Sequence, residues 1–362
     1  ATPVQLGLVV VAWGLAFSLC APFGGRAADR FGCRTTLLVG ALLYALAAAL
    51  CAAATAPVHL GVISLLGGLG CALFWPSFEI LLHSPNRAET QRRLGLFNVG
   101  WALGLMSGSA AAGYAYRLAG PHRAFWGVSI LVVTVALMVA ATVRHSSGTE
   151  AHADETLILS PSPVAPEGNG GYLWMAWAAN FGVFFATSSA AAIFPKLART
   201  LAIGDGHIGI LLAVVMGAQT LVFVVLARTD RWHDRTLPLI AGPAVGVIGL
   251  LAVAAGSATA VFATGLALLG LARGMTCSAS LHYSIHRPGA RGASMGIHES
   301  IIGSAFVAGP LMGGWIAQSL SLRASFVMSA AVVSLAGAVI LAIRWRFNAA
   351  SQQERVEQPL SA

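Results

Sequence analysis

Residues 25–34 read Gly-Arg-Ala-Ala-Asp-Arg-Phe-Gly-Cys-Arg, a charged stretch between the apolar runs 4–24 and 36–56. A related stretch, Asp-Arg-Trp-His-Asp-Arg, occupies residues 230–235. A single offset of 201 residues superimposes the two stretches. The same offset places Gly95, Gly108, Gly113 and Phe125 on Gly296, Gly309, Gly314 and Phe326. Because a charged stretch and a glycine-containing helix agree at one offset, the sequence predicts an internal duplication.

The composition is that of a protein embedded in lipid. Of the 362 residues, 57% are hydrophobic and only 9% are charged, whereas an ordinary soluble domain has about 25% charged residues. Eleven apolar runs reach the length of about 20 residues that crosses a bilayer. These runs lie at 4–24, 36–56, 59–82, 95–117, 123–143, 172–194, 207–227, 237–256, 260–282, 295–318 and 324–346. We therefore predict an all-α membrane protein, which excludes a cytosolic enzyme, a nucleic-acid-binding domain, a disordered protein and a transmembrane β-barrel.

The repeat also predicts the domain organisation. One period contains six runs, so both copies cross the membrane in the same sense, related by an axis along the membrane normal. We expect an N-terminal bundle over 1–144, a linker over 145–171, a C-terminal bundle over 172–347 and a tail over 348–362. Fifteen of the 21 Lys and Arg residues share the side that holds residues 25–34. The positive-inside rule places that side, the linker and the C-terminus in the cytoplasm, with the bundles in the plasma (inner) membrane.

The first copy lacks a counterpart of the run 172–194, which the offset would place before residue 1. We therefore expect the full gene product to have twelve helices, of which this chain carries the last eleven. The chain begins with Ala1, the charge count places residue 1 outside the cell, and no basic residue precedes the first run as in a signal peptide. A start codon directly before Ala1 would contradict this expectation.

The stretch 25–34 resembles the signature loop of the major facilitator superfamily, although Ala27 and Cys33 stand where the family usually has Leu and a basic residue. The resemblance implies a fold of two pseudo-symmetric six-helix bundles, with 11 of 12 transmembrane helices present. It also implies that this loop is a conformational switch favouring the outward-facing state. Asp29 is surrounded in sequence by Arg26, Arg30 and Arg34, and such a charge cluster could lock the cytoplasmic ends of two helices together and release them. Asp29 could also lie near the positive end of a neighbouring helix. A solvated loop that only sets topology is the alternative. The switch residues are Gly25, Asp29, Arg30, Gly32, Arg34, Asp230, Arg231 and Arg235.

A second motif, at residues 309–314, resembles the Gly-Pro-x-x-Gly-Gly signature of superfamily antiporters. In those antiporters it belongs to helix 5, whereas here it lies on the run that corresponds to helix 11. A proline inside a spanning helix removes a backbone hydrogen bond and permits a bend, so a hinge is predicted; a generic packing face is the alternative. Ser64 and Gly67 stand where proton-linked members have an Arg and its polar partner, so the motifs do not favour proton antiport. The hinge residues are Gly309, Pro310, Gly313 and Gly314.

Polar residues inside the spans are candidates for substrate binding or ion coupling, because a charge there costs about 2.5–3.5 kcal/mol on insertion scales. Arg273 lies near the midplane of its run and is interpreted as a substrate or counter-ion residue, with a structural ion pair as the alternative. Glu79, His298, Glu299 and Asn98 are each expected about one turn from a helix end. The acids and His298 could relay protons or, being near the interface, could pair with the Arg-rich loops. The candidates are Arg273, Glu299, His298, Glu79, Asn98, Asn180 and Gln219.

These observations predict a secondary active transporter that moves a small organic solute by alternating access. Export is favoured because the motifs resemble those of drug-efflux members. Uptake of a sugar or organic acid, and a non-transporting receptor or scaffold of the same fold, are the alternatives. The sequence shows no nucleotide-binding loop or metal-ligand motif, so we expect no enzyme activity, cofactor or metal. The expected partners are the substrate, a coupling proton or ion and the lipid bilayer, without nucleic acid, and the protein is expected to be a monomer.

Overall fold

The computed structural model describes residues 3–142, 169–287 and 291–357, and within these ranges all regular structure is helical. One helical stretch, Arg87–Thr142, is divided at Gly120, where φ is 75° and ψ 169°. It therefore forms two helices, α4 (87–119) and α5 (121–142). The others are α1 (Pro3–Phe31), α2 (Cys33–Ala52), α3 (Pro57–Ile80), α6 (Asn169–Thr200), α7 (Asp205–Leu226), α8 (Thr236–Ala255), α9 (Thr259–Ile285), α10 (Arg291–Ser319) and α11 (Leu322–Glu357). The prediction of an eleven-helix, all-α membrane protein is confirmed.

Ten helices in the described ranges are long and apolar enough to cross a membrane, and the protein is therefore a multi-pass membrane protein. The remaining predicted span, 95–117, lies within α4. Several of its side chains are outside the described residues. Its crossing of the bilayer stays a prediction.

The prediction of a loop at residues 25–34 is wrong. Helix α1 continues to Phe31, and α2 begins at Cys33. Only Gly32 interrupts the helices, with φ at 85°, a conformation that glycine adopts without strain. Its N–H donates to the Ala28 carbonyl at 3.0 Å, and its carbonyl accepts from the Thr36 N–H at 3.2 Å. Alanine and arginine favour helix, and a basic residue in the last turn suits the negative end of the helix dipole.

The predicted linker and tail are only partly described. Residues 143–168, which hold most of the linker 145–171, lie outside the described ranges, and α6 already begins at Asn169. α11 continues to Glu357 and thus includes the first ten residues of the predicted tail 348–362, whose cytoplasmic position stays a prediction. Residues 358–362 are not described. The amphipathic sequence after 347, rich in Gln and Glu, is compatible with helix outside the apolar span.

The chain divides into two compact units. Unit 1 comprises Ala1–Pro161 and Ser284–Val307, and unit 2 comprises Ser162–Tyr283 and Ala308–Ala362. The first part of α10 thus belongs to unit 1 and the remainder to unit 2. The two sequence-defined bundles stay a prediction.

Small residues let the helices of unit 1 approach closely. A Cβ atom added to Gly40 on α2 would lie 2.7 Å from the carbonyl oxygen of Gly70 on α3, and the reverse substitution would be equally tight. Phe17 of α1 packs with Cys71 of α3 in an apolar cluster. Such close approach replaces the hydrophobic drive that lipid does not provide.

Unit 2 has a larger apolar core that α6 shares with α7, α8, α9 and α11. The rings of Phe194 on α6 and Phe262 on α9 meet edge to face, 5.4 Å apart. Phe326 of α11 is buried in the same core. The polar side chains described below are held on these packed helices.

Candidate functional site

The carboxylate of Asp29, in the last turn of α1, binds the beginning of α10 within unit 1. Its Oδ1 accepts a hydrogen bond from the Gly292 N–H at 3.0 Å, and its Oδ2 accepts one from the Ala293 N–H at 3.2 Å. The first N–H groups of a helix have no partner within the helix, and they form the positive end of its dipole. Asp29 therefore caps α10 from another helix.

Above this cap, α1 and α10 are in close contact through small residues. A Cβ atom on Gly25 would collide with the carbonyl oxygen of Gly292, and one on Gly292 would collide with that of Gly25. Further along, the Ser300 hydroxyl donates to the Ser18 carbonyl at 2.6 Å. We call these residues, together with Asp29, the α1–α10 contact. Sequence reasoning missed its α10 side, which the spacing Gly292-x-x-x-Gly296 of small residues could have indicated.

The arginines of the predicted switch have other neighbours. The Arg30 guanidinium lies over the ring of Phe31, 5.4 Å from its centroid. Arg34 donates to the carbonyl of Ala140 near the end of α5. The described contacts of the Asp29 carboxylate are thus to backbone N–H groups of α10, and Arg34 instead joins α2 to α5.

The second copy of the motif, residues 230–235, forms the turn between α7 and α8 in unit 2. Asp234 adopts a left-handed conformation with φ at 53°. Its N–H donates to the Tyr283 hydroxyl at 2.9 Å, and its carbonyl accepts from the Tyr172 hydroxyl at 2.8 Å. Two tyrosines therefore hold this turn. The predicted switch residues in it are Asp230, Arg231 and Arg235.

Three titratable side chains from two helices that are distant in the sequence lie close together inside unit 1. Glu79 lies near the end of α3, and His298 and Glu299 lie on α10. One ligand atom of each lies within 4.8 Å of the others, and the residues are 2%, 1% and 7% exposed. We call this group the acid–histidine cluster. Because α10 begins at Arg291, earlier than the predicted run, Glu299 lies about two turns inside its helix.

The acid–histidine cluster must neutralise charge. Two carboxylates this close repel each other, and burial makes each charge more costly. A proton shared by the two carboxyl groups, or a bound cation, removes that repulsion. Carboxylate and imidazole are also ligands of Zn²⁺ and Mn²⁺, so Glu79, His298 and Glu299 could hold a divalent cation. The arrangement is therefore suited to binding and releasing positive charge.

Aromatic residues pack α4 against the part of α3 that carries Glu79. The ring of Phe97 on α4 lies 5.5 Å from Phe78 and 6.2 Å from Trp75, both on α3. Asn98, the next residue on α4, is buried. Since α4 begins at Arg87, Asn98 lies about three turns inside its helix, deeper than the one turn expected.

In unit 2, Arg273 lies near the middle of α9, as the sequence predicts. Its guanidinium carbon is 4.5 Å from the centroid of the Phe184 ring on α6. One of its N–H groups donates to the sulfur of Met216 on α7 at 3.6 Å. Stacking of a guanidinium on an aromatic face is a favourable cation–π contact, stronger when it is desolvated.

Two buried amides flank the contacts of Arg273. Asn180 lies one turn before Phe184 on α6, and Gln219 lies one turn after Met216 on α7. Both residues are 0% exposed, and neither the oxygen nor the nitrogen of either side-chain amide has a hydrogen-bond partner among the described residues. Leaving a buried polar group unpaired costs about 1–3 kcal/mol. These amides are therefore candidates for contact with a polar ligand.

The predicted hinge lies within α10, in unit 2. Pro310 is inside the helix and has no N–H to donate to the carbonyl of residue 306. A Cβ atom on Gly309 would collide with the Ser188 hydroxyl of α6, and one on Gly313 would collide with that of Ser189. No atom lies within 4 Å of the corresponding position at Gly314. Two of the glycines thus provide close packing, and bending at Pro310 stays a prediction.

Comparisons with known proteins identify the family. The family model of the Major Facilitator Superfamily matches residues 1–282 and, in a second match, residues 176–359. The Multi-drug resistance efflux pump PmrA homolog of Lactococcus lactis is 33% identical over 133 residues, which are 35% of this chain and 32% of that protein. The Methylenomycin A resistance protein of Bacillus subtilis is 32% identical over 139 residues, 37% of this chain and 28% of that protein.

The matched part thus spans about a third of the length of these relatives. Among solved structures, the human organic anion transporter MFSD10 (TETRAN) superimposes with a TM-score of 0.77 at 17% identity, over 92% of this chain and 83% of that chain. A likeness of this size shows a shared fold.

Proposed function

Because the chain belongs to the major facilitator superfamily, we propose that it is a secondary active transporter that exports a small organic solute by alternating access. It would act in the plasma membrane with its C-terminus in the cytoplasm, as the distribution of basic residues favours. The names of the relatives, a multidrug efflux pump and an antibiotic resistance protein, support export. The members of this family are not enzymes, so transport would draw on an ion or solute gradient.

The α1–α10 contact is the observation that carries this proposal. Asp29 holds α10 by two hydrogen bonds to backbone N–H groups, and glycines provide the remaining close approach. Alternating access needs closures that form in one state and release in another, and this contact has the chemistry of such a closure.

We further propose that protons drive export through the acid–histidine cluster. Its carboxyl groups are buried beside each other, so protonation would remove their repulsion and deprotonation would restore it. Both Glu299 and the α1–α10 contact lie on the first half of α10. Proton binding at Glu299 and closure at Gly292 would therefore act on one rigid helix.

The test is dye transport in proteoliposomes made with the full-length protein. We would measure ethidium, a cation, and carboxyfluorescein, an anion, under an imposed pH gradient. Glu79→Gln and Glu299→Gln should each abolish gradient-driven transport but retain exchange of dye across the membrane. The matched control is Glu89→Gln, which removes a partly exposed acid paired with Arg92 and Arg93 on α4 and should leave transport unchanged.

Three results would contradict the proposal. Transport of neither dye would argue against efflux of organic solutes. Gradient-driven transport that survives in both buried variants would remove the cluster from coupling. Transport that stops on addition of EDTA and returns with Mn²⁺ or Zn²⁺ would assign the cluster to a divalent cation.

A further inference from the structure

Arg273 brings a positive charge to the middle of unit 2. It is the only Asp, Glu, Lys or Arg residue in α9, and it is 7% exposed. Its contacts include side chains from two other helices. Phe184 contributes a ring from α6 and Met216 a thioether from α7. Charge at such a depth is costly to a membrane protein and is typical of ligand sites.

Helix spacing places the two buried amides on the same faces. Residues three or four apart lie on one side of a helix, so Asn180 shares a face of α6 with Phe184, and Gln219 shares a face of α7 with Met216. Helices α7 and α9 approach closely here. A Cβ atom on Gly274, next to Arg273, would lie 3.0 Å from the backbone carbonyl oxygen of Gln219. Each of the two amides thus lies one helical turn from a side chain that contacts Arg273, and neither has a hydrogen-bond partner among the described residues.

We infer that Arg273, Asn180 and Gln219 form the binding site for an organic anion that carries a carboxylate. This inference rests on the proposed function, since it names the class of solute that is exported. The guanidinium carbon lies over the Phe184 ring. A guanidinium in such a cation–π contact can still bind a carboxylate through the N–H groups in its own plane. The amide NH₂ groups of Asn180 and Gln219 supply further donors. Phe184 and the adaptable Met216 provide an apolar wall for the organic body of the solute.

The chemistry disfavours other solutes. A cation would meet the positive charge of Arg273 in a region of low dielectric. A neutral molecule of the same shape would lose the charge-assisted hydrogen bonds. By the usual strength of hydrogen bonds to charged groups, a carboxylate should bind about 10- to 100-fold more tightly than its neutral carboxamide.

The test measures binding directly, without transport. The full-length protein in detergent would be titrated with benzoate, 2-naphthoate and indole-3-acetate, and with the matching carboxamides benzamide, 2-naphthamide and indole-3-acetamide. At least one acid should bind with a Kd about 10- to 100-fold below that of its carboxamide. Arg273→Gln should reduce that preference to less than about threefold, and Arg273→Lys should retain part of it.

Further variants separate binding from folding. If Arg273→Gln does not fold, Gln219→Met keeps the length and apolar packing of the side chain, and it should weaken binding of the acid about threefold or more. The matched control is Thr187→Val on α6, whose hydroxyl already donates to the Val183 carbonyl at 2.8 Å. This variant should bind like the wild type.

The outcomes distinguish this inference from the proposed function. Equal binding of acids and carboxamides, binding of none of the six, or an acid preference that survives Arg273→Gln would overturn the anion site. Dye export that continues in any of these cases would leave the proposed function intact. Acid binding that depends on Arg273 without any transport would establish the site and contradict the transporter.

Discussion

Replacing Asp29 by Ala should open the α1–α10 contact. The substitution removes the acceptor of two hydrogen bonds, at 3.0 and 3.2 Å, from the Gly292 and Ala293 N–H groups. It also removes a negative charge at the positive end of α10. Loss of a capping residue costs about 0.5–2 kcal/mol, and loss of a favourable dipole interaction about 0.3–1 kcal/mol. Since Asp29 is exposed, we expect a total of about 1–2 kcal/mol.

That free energy corresponds to a change of about 5- to 30-fold in the ratio of closed to open contact. Hydrogen exchange measures the ratio directly, because a bonded amide exchanges when its contact opens. In lipid nanodiscs, the Gly292 and Ala293 amides, followed in overlapping peptides, should exchange about 5- to 30-fold faster in Asp29→Ala than in the wild type. Peptides from the core of α6 should exchange at the same rate in both proteins.

Glu89→Gln is the matched control for loss of an acid. Glu89 pairs with Arg92 and Arg93 of its own helix, α4, at 3.0 and 2.9 Å. In Glu89→Gln, the Gly292 and Ala293 amides should exchange at the same rate as in the wild type. Unchanged exchange in Asp29→Ala, or the same acceleration in both variants, would refute the argument that this carboxylate holds α10.

Two further predictions concern packing and pH. Gly309→Ala should lower the thermal unfolding midpoint of the protein, because the added Cβ would collide with the Phe185 backbone carbonyl. Gly314→Ala should leave the midpoint unchanged, because its Cβ would meet open space. Equal midpoints of the two variants would contradict this description of the packing. Burial, with the positive charge of Arg291 nearby, lowers the pKa of His83 to about 4. Because the unfolded chain binds this proton first, stability should be complete above pH about 6.5 and fall between about 6.5 and 4. His83→Gln should show a smaller fall in melting temperature from pH 7 to 5, and an identical fall would contradict the assignment.

The number and type of helices could be predicted from the sequence because each apolar run is long, continuous and rich in small residues. The boundaries were less predictable where charge was taken as a sign of a loop. Residues 25–31 are charged yet helical, since α1 extends past its apolar run and needs only Gly32 to end it. α11 likewise extends past its apolar run and continues through the polar residues after 347.

The candidate site could be predicted residue by residue but not as a geometry. Hydropathy marks Arg273, Glu79 and Glu299 as costly inside a span, and all three are buried. Hydropathy does not give the rotation or depth of one helix against another, so the meeting of Glu79 with Glu299 was missed. Both acids had been expected to lie near the interface, where the Arg-rich loops could pair with them.

The contact between Asp29 and α10 could be predicted only in part. A carboxylate at the end of one helix can be expected to seek the positive end of another. The identity of that helix depends on residues more than 250 positions away, at Gly292 and Ala293. Their small side chains are visible in the sequence, but glycine is common throughout this chain.

The one-residue connection at Gly32 has a mechanical consequence. Two helices joined by a long loop can tilt independently, because the loop absorbs the displacement as slack. Here the Gly32 N–H donates to the Ala28 carbonyl of α1, and the Gly32 carbonyl accepts from the Thr36 N–H of α2. These two hydrogen bonds make the connection between the helices rigid. Any swing of the Asp29 end of α1 must carry the start of α2 with it. Arg34 on α2 donates to the Ala140 carbonyl of α5. A displacement that begins at the Asp29 carboxylate would therefore move α1, α2 and α5 together.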